Sequence, residues 1–406
     1  MLPATSNSAK ITPGRVELSL RQRFNPIRVL TPELLAVQLD QFARGYLSPI
    51  MRTWEAMERR DDRLASVSAK AKNALSRYGF EVVAGEGAEA RRHKEALEYF
   101  YNNLTVTDAY DENRVGGFSL LVRTMAHAIG RKYSVHEICW QPGESGLTAE
   151  FRAAPCWFFE NLTGRLRFLT QDFDYMGVPM NPDEWLVTVG DGIDEACSVA
   201  YMFKHLPLKD WLNYSEKFGF PGILGRTTAS QGSDQWNAMK TAVATFANDF
   251  AAVCNATDSI ELVKAESGQG STPFEPIIDR MDRAITILWR GADLGTQSHR
   301  GAGQGQGASL QADETDALDE DRAALLSETL NIQIDRRVIA FTFGAGVKPL
   351  ARVRVKTRER EDRSFDLQVL AALIPFGLPV SVADALNRFG YSAPVPGDKL
   401  LTAPLK

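Results

Sequence analysis

The sequence predicts an α+β fold built on long helices, and three observations predict it. Apolar residues recur at helical spacing, as Leu64, Val67, Ala71, Ala74, Leu75 and Tyr78 do. Residues 148–190 break instead into short strand-like runs, "LTAEFRAAP", "RLRFLT" and "YMGVPMNPDEWLVTVG", divided by turn residues. From Pro207 to about Val338 the order is helix, compact mixed insert, helix, Gly-rich loop, long helix, with no internal repeat.

Taken in order, residues 1–30 read as a loosely ordered arm. Thr31 then caps a helix that has Pro32 at its first position, the first of two or three helices that end in a strand near "GFEVV". "RRHKEALEYFYNNL" is a further helix, and "FSLLVRTMAHAIG" is another, stopped at Gly130 before a strand from Lys132 to Trp140. After Pro207, "LKDWLNYSEKFG" places Leu208, Trp211, Leu212 and Ser215 on one stripe and stops at Gly219 and Pro221. Residues 219–275 look self-contained: a strand "FPGILGRT", a polar turn, a helix and a strand "SIELVKA". The helix carries Trp236, Met239, Val243, Phe246, Phe250 and Val253 in steps of three and four. A second helix from Pro276 sets Ile278, Met281, Ile285 and Leu288 on one face and ends at Gly291. The long helix runs from about Ala312 to Val338, then comes a basic strand-like run, "KPLARVRVKTRER", and a helical C-terminal piece.

Composition bounds the function. The 406 residues suffice for two or three domains or one elongated subunit, and 44% hydrophobic with 24% charged residues is ordinary for a folded soluble chain. A net charge of -5 marks no general nucleic-acid binder. Cys139, Cys156, Cys197 and Cys254 form neither a CxxC pair nor a disulfide framework, so they are expected reduced and mostly buried. The N-terminus lacks a signal-peptide pattern, and the longest apolar run, residues 369–380, is too short and too broken by Pro and Gly to span a bilayer. A cytosolic protein is the default expectation.

Motifs for chemistry are sparse. Gly303, Gly305 and Ala308 formally fit GxGxxA, but polar loop precedes them where a strand is needed, and no GK[ST] occurs. Asp313, Glu314, Asp316, Asp319, Glu320 and Asp321 open the expected long helix, where the positive dipole end favours them; an acidic functional surface is the alternative, and they do not follow an EF-hand pattern. "HEICW" at His136 begins like a zinc-protease motif but has Trp140 where the second His belongs, so strand alternation explains it better. The other histidines, His93, His127, His205 and His299, form no local pattern with the cysteines, and no GxSxG elbow is present. Arg352, Arg354, Lys356, Arg358 and Arg360 alternate at period two, so a strand would gather them on one face, either solvated or turned to DNA or another subunit. Neither a cofactor nor a metal is expected.

The order of local motifs resembles the phage portal proteins, the Mu-like family in particular. It is carried by "MERRDDRLASVSAKAKNALSRYGFEV", "KYSVHEICW", "FKHLPLKDWLNYSEKFGFPGILGRT" and, above all, "ADLGTQS" with the Gly-rich loop, "GASLQ" and "LLSETLNIQIDRRVIAFTFG". The similarity covers roughly residues 28–395. It implies a portal-type subunit with an α/β wing, a two-helix stem, a small α/β clip insert, a tunnel loop and a long helix. The implied division is an arm at 1–30, wing 31–205, first stem helix 206–218, clip 219–274, second stem helix 275–291, tunnel loop 292–311, long wing or crown helix 312–340 and a C-terminal wing or crown segment at 341–406. Residues 191–203 fit the family pattern poorly, and the C-terminus is short for it.

The resemblance further implies a homo-oligomeric ring, a dodecamer, at one capsid vertex. Double-stranded DNA would pass through it in packaging and ejection. Terminase, capsid or scaffold and head–tail connector proteins would be partners, and a separate terminase would hydrolyse the ATP. Gln297, Ser298, His299, Arg300, Gln304 and Gln306 would face DNA in the channel, and Trp211, Leu212, Met281 and Ile285 would pack the stem within and between subunits. The location would be the virion, with host cytoplasm during assembly. A loop with few cations suits a channel that must let DNA slide, because each cation contact adds affinity to be broken at every step. The rival from another class is a nucleotide- or metal-dependent enzyme using the Gly-rich loop and the following acids.

Overall fold

The computed structural model describes residues 30–358, apart from 112, 172–173, 220–222, 247–250, 256–273 and 293–305, and isolated positions beyond. Residues Met1–Thr357 form one compact unit and Arg358–Lys406 a second, nearly all of which lies outside the described residues. The expected arm, the strand "SIELVKA" and the C-terminal helical piece also fall outside them.

The chain opens with α1 (Pro32–Ala43), α2 (Ser48–Arg60) and α3 (Asp62–Ser76). Thr31 Oγ1 accepts from the Leu34 amide and Pro32 sits at the start of α1, the cap expected. Asp61 Oδ1 caps α3 in the same way at Leu64. Leu64, Val67, Ala71 and Leu75 are buried; Tyr78, past the end of α3, is exposed instead of continuing the stripe. Next come β1 (Phe80–Ala84), α4 (Ala88–Asn103), β2 (Thr105–Asp108), β3 (Val115–Gly116), α5 (Phe118–Met125) and α6 (His127–Arg131).

Gly130 does not stop this helical region as expected. It lies buried inside α6, and the chain turns at Lys132, which takes φ 68°. Gly130 is required for space: a Cβ there would lie 2.6 Å from Asp194 Oδ2.

β4 (Tyr133–Pro142), β5 (Leu147–Ala154), β6 (Phe159–Glu160), β7 (Arg167–Phe168), β8 (Val178–Pro179) and β9 (Trp185–Val189) follow. The main sheet has the order β3-β2-β5-β4-β9, and β6-β7-β8 is a separate small sheet. The expected alternation around His136 is absent, since Val135, His136, Glu137 and Ile138 are all buried. β4 pairs on both edges and is covered on both faces, and such a strand loses its polar side. His136 Nε2 shares a 2.7 Å hydrogen bond with Thr124 Oγ1, and burial pushes its imidazole down to about 3.

α7 (Asp194–Gly219) is one 26-residue helix, about 39 Å long at 1.5 Å per residue. The expected start at Pro207 is therefore corrected: the helix begins at Asp194 and continues through the proline. Cys197, Ser198, Ala200, Tyr201 and Met202 are buried in its first half, and their packing outweighs the lost backbone donor of Pro207. Then come β10 (Ile223–Thr227), α8 (Asp234–Phe246) and β11 (Ala251–Asn255). β10 and β11 pair in parallel, from Ile223 opposite Ala251 to Thr227 opposite Asn255. Parallel neighbours need a crossover, which α8 supplies. The expected helix through Val253 is thus shorter, and Val253 lies in a strand.

α9 (Glu275–Arg290) ends at Gly291 in the left-handed conformation, as expected. α10 (Gln306–Leu330), a π-turn (Asn331–Asp335) and α11 (Arg336–Phe343) make one continuous helical run. It begins before Ala312, so Gln306 is helical and the acids from Asp313 onward lie beyond the first turn. The dipole at the helix start therefore does not account for them.

β12 (Ala351–Val355) pairs with β1, with Ala351, Val353 and Val355 buried and Arg352 and Arg354 outward. The π-turn holds the β1–β12 pair and the main sheet to the long helix. Asp335, almost fully buried, accepts from Tyr101 O–H at 2.6 Å and the Val353 amide at 2.8 Å. Gln333 exchanges two hydrogen bonds with the backbone of Val187, covering the open edge of β9.

Candidate functional site

Three arrangements stand out, and the first is a helical hairpin. α7 and α9 lie side by side and antiparallel: Lys204 meets Asp282, while Tyr214, later in α7, meets Phe274, earlier in the chain. Ile285 is fully buried and Met281 packs against the core, Trp211 is half-buried, and Leu212 is 67% exposed. Leu212 therefore does not pack inside the single chain. It lies in the half of α7 beyond the buried first turns.

The root of the hairpin is an ion network. Lys204 Nζ lies 2.9 Å from Asp61 Oδ2, 2.8 Å from Asp62 Oδ1 and 2.8 Å from Asp282 Oδ1. His205 Nε2 lies 3.0 Å from Asp61 Oδ2, and Arg63 reaches Asp282 at 3.8 Å. The corner between α2 and α3 is thus tied to both helices of the hairpin. Burial pushes the Asp61 carboxyl up, but hydrogen bonds from His205, the Leu64 amide and Lys204 outweigh it and hold it down at about 2. Burial opposes the charge on Lys204, yet the three carboxylates raise its ammonium above the ordinary range.

The second arrangement clamps the two ends of the Gly-rich stretch. Arg322 Nη1 donates to the Trp289 carbonyl at 2.8 Å, and Thr315 Oγ1 donates to the Arg290 carbonyl at 3.1 Å. These are C-terminal carbonyls of α9 that the helix itself leaves unpaired. Arg290 Nη1 also reaches Asp319 at 3.3 Å. One residue of the acid run thus has a local partner, Asp319 with Arg290, and Thr315, lying between two of the acids, caps α9. Gln297, Ser298, His299, Arg300 and Gln304 lie outside the described residues, between these clamped ends.

The third is a cleft of about 1190 Å³ lined by charged residues, among them Glu55, Glu58, Arg114, His127 and Arg131. Glu58 bridges Lys72 and, at 2.8 Å, Arg131 Nη2. Burial opposes its charge, but Lys72 and Arg131 hold its carboxyl well below the usual range. Lys72 Nζ is also 3.0 Å from His127 Nδ1, and burial with these two cations keeps the imidazole well below its usual value. Asp194 stands beside the cluster with neither carboxylate oxygen hydrogen-bonded, and burial and the charge of Glu58 push it up to about 7. Cys156, in the cleft wall, donates to the Tyr133 carbonyl, and burial raises its thiol to about 11, so it is no thiolate at neutral pH. Cys197 is buried and Cys139 half-buried, and neither is in a disulfide. No group of three or more His, Cys, Asp or Glu among the described residues is placed to hold a metal, and no helix among them is long and apolar enough to cross a membrane.

Residues 51–391 match the family described as the portal protein of Mu bacteriophage. The chain is a member of the portal protein family. The match spans the root network, hairpin, loop clamp and cleft alike. Among solved structures, the chain is similar to the neck of an empty GTA particle, at 12% identity and TM-score 0.46, covering 87% of this chain and 94% of that one. It is also similar to an HK97 family phage portal protein from Corynebacterium diphtheriae, at 12% identity and TM-score 0.38, covering 79% and 99%. No curated protein matches.

In the portal chain, sequence reasoning found the two hairpin helices but missed what joins them; most of the expected Gly-rich loop lies outside the described residues, and its last residues, from Gln306, are helical. Lys204 and Asp282 are 78 positions apart, and Tyr101 and Asp335 are 234. No local pattern pairs such residues. The one available signal was the Asp61–Asp62 doublet at a helix start, which needs a cation somewhere in the fold.

Proposed function

We propose that this portal chain is the repeating subunit of a homo-oligomeric ring at one capsid vertex, a dodecamer, through which double-stranded DNA is packaged and later ejected. α7 and α9 are its stem, residues 219–274 its clip, and the stretch between Gly291 and Gln306 its tunnel loop. The clip docks the terminase during packaging and head–tail connector proteins afterwards. The chain is not an enzyme in this reading; the terminase supplies the ATP chemistry.

The family match across residues 51–391 carries this reading. The clamp at both ends of the tunnel loop supports it, because a loop working against moving DNA needs a fixed base. His299 and Arg300 are the loop's basic residues, and their contacts with phosphate are multiplied by the number of subunits. Deleting residues 296–304 tests the loop, since it leaves Gly291 and all of α10 in place. Rings should form as in the wild type while DNA packaging or retention falls. Loss of assembly would show that the loop is an architectural element and overturn its assignment to DNA.

A further inference from the structure

A second, smaller pocket of about 550 Å³ is lined by the end of β1, the start of β12 and the π-turn. No residue of the hairpin or of 219–274 lines it. Its apolar floor is open to solvent: Val83, Ile332 and Leu350 are 42%, 48% and 41% exposed. Val83 stands opposite Arg352 in the β1–β12 register, and strand alternation turns both away from buried Val82 and Val353. Three cations border this floor: Arg336 from α11, Lys348 from the loop after it and Arg352 from β12. All three are exposed, and none pairs with an acid among the described residues. Asp335, the acid in the lining, is already engaged, by the Tyr101 hydroxyl and the Val353 amide. Asn331 in the π-turn also lines the pocket, and its buried side-chain oxygen has no hydrogen-bond partner among the described residues. Single π-turns inside helices are frequent at functional sites.

We propose that this pocket docks an acidic peptide segment of a partner protein. The segment sets one large aliphatic or aromatic side chain on Val83, Ile332 and Leu350 and spreads its carboxylates over Arg336, Lys348 and Arg352. Charge complementarity fixes this chemistry. A nucleic-acid backbone would meet the cations but leave the apolar floor without a partner. A fatty acid would meet the floor but brings a single carboxylate, whereas the cations stand on three separate segments of the chain. A short acidic peptide satisfies both features at once, with an anchor in the pocket and ionic contacts at its rim. Arg336 and Arg352 can each take a carboxylate in a two-pronged pair, and Lys348 can take one as a point charge. Asn331 can accept from the segment's backbone once its amide turns. The assignment uses neither the ring nor the tunnel loop, so it stands or falls apart from them.

The test is selection from a displayed library of random peptides of about 12 residues on the full chain, followed by fluorescence anisotropy of the enriched sequences. Those sequences should share acids on both sides of one Leu, Ile or Phe, and their binding should weaken as salt rises. Ile332→Asp, and Arg336→Glu together with Lys348→Glu, should each weaken binding about tenfold or more. Both variants should keep the wild-type circular dichroism and melting temperature, because the altered side chains are exposed. No enrichment, a basic or uncharged consensus, or binding that both variants leave unchanged would overturn the proposal. So would a pocket that takes decanoate and no peptide, which would assign it to a small amphiphile. A subunit number that Ile332→Asp alone lowers in native mass spectrometry would assign the pocket to a second copy of the chain and overturn it too. A chain that forms no ring yet selects acidic, singly anchored peptides would leave the proposal standing and remove the ring reading alone.

Discussion

Gly130 and Asp194 show how far a single residue's role depends on a distant partner. A Cβ at position 130 would press on the Asp194 carboxylate at 2.6 Å. Gly130→Ala should therefore destabilise the fold by about 1–3 kcal/mol, read as a lower midpoint in urea unfolding. Gly130 looked like a helix stop because glycine often is one, and nothing near it in sequence announces Asp194. Asp194 itself sets a pH dependence. Its folded pKa, about 7, is raised above an unfolded value near 4. Its contribution to stability is complete below that unfolded value and is lost as pH rises through about 7. Asp194→Asn should gain stability over the wild type at pH 8 relative to pH 5, measured by urea unfolding at both. Equal differences at the two pH values would show that Asp194 is not the titrating group. Asp61 has the opposite sign: held at about 2, it contributes above pH 4 and loses that contribution as pH falls towards 2.

Elements were legible where one local rule governed them. Thr31 with Pro32 opened a helix, Gly291 closed one, and the alternation in "ARVRV" made a strand with its valines inward. Elements were misread where packing outweighed the local rule. Pro207 looked like a helix start, yet buried Cys197, Ala200 and Tyr201 carry α7 back to Asp194. Val253 continued a helical stripe in sequence, but β10 recruits it into a parallel strand. How the hairpin joins the body was not legible at all, since it depends on Lys204 gathering three carboxylates from two distant places in the chain, Asp61–Asp62 and Asp282. Lys204→Met should strip the almost fully buried Asp61 and the mostly buried Asp282 of their shared ammonium, leaving only His205 on Asp61 and Arg63 at 3.8 Å from Asp282, and cost about 3–5 kcal/mol. Hydrogen exchange should rise in α9 and the second half of α7 while β4 and β5 stay protected. Uniform loss of protection would mean that the network supports the whole fold and not the hairpin root.

At the scale of the molecule, the sequence carries the order of the parts more clearly than any one of them. A helix, an insert with a strand–helix–strand unit, a second helix and a long helix follow each other in the expected order among the described residues, and the family match runs across all of them. The candidate DNA-contacting residues are legible only as loop composition, because glycine and glutamine specify no fixed geometry. The central claim is that this chain assembles into a closed ring with a channel for DNA. Electron microscopy of the purified full chain tests it most directly. The account predicts ring-shaped particles of one subunit number, with a central opening wide enough for a DNA duplex. Particles that stay monomeric at every concentration and salt, or rings closed at the centre, would contradict it.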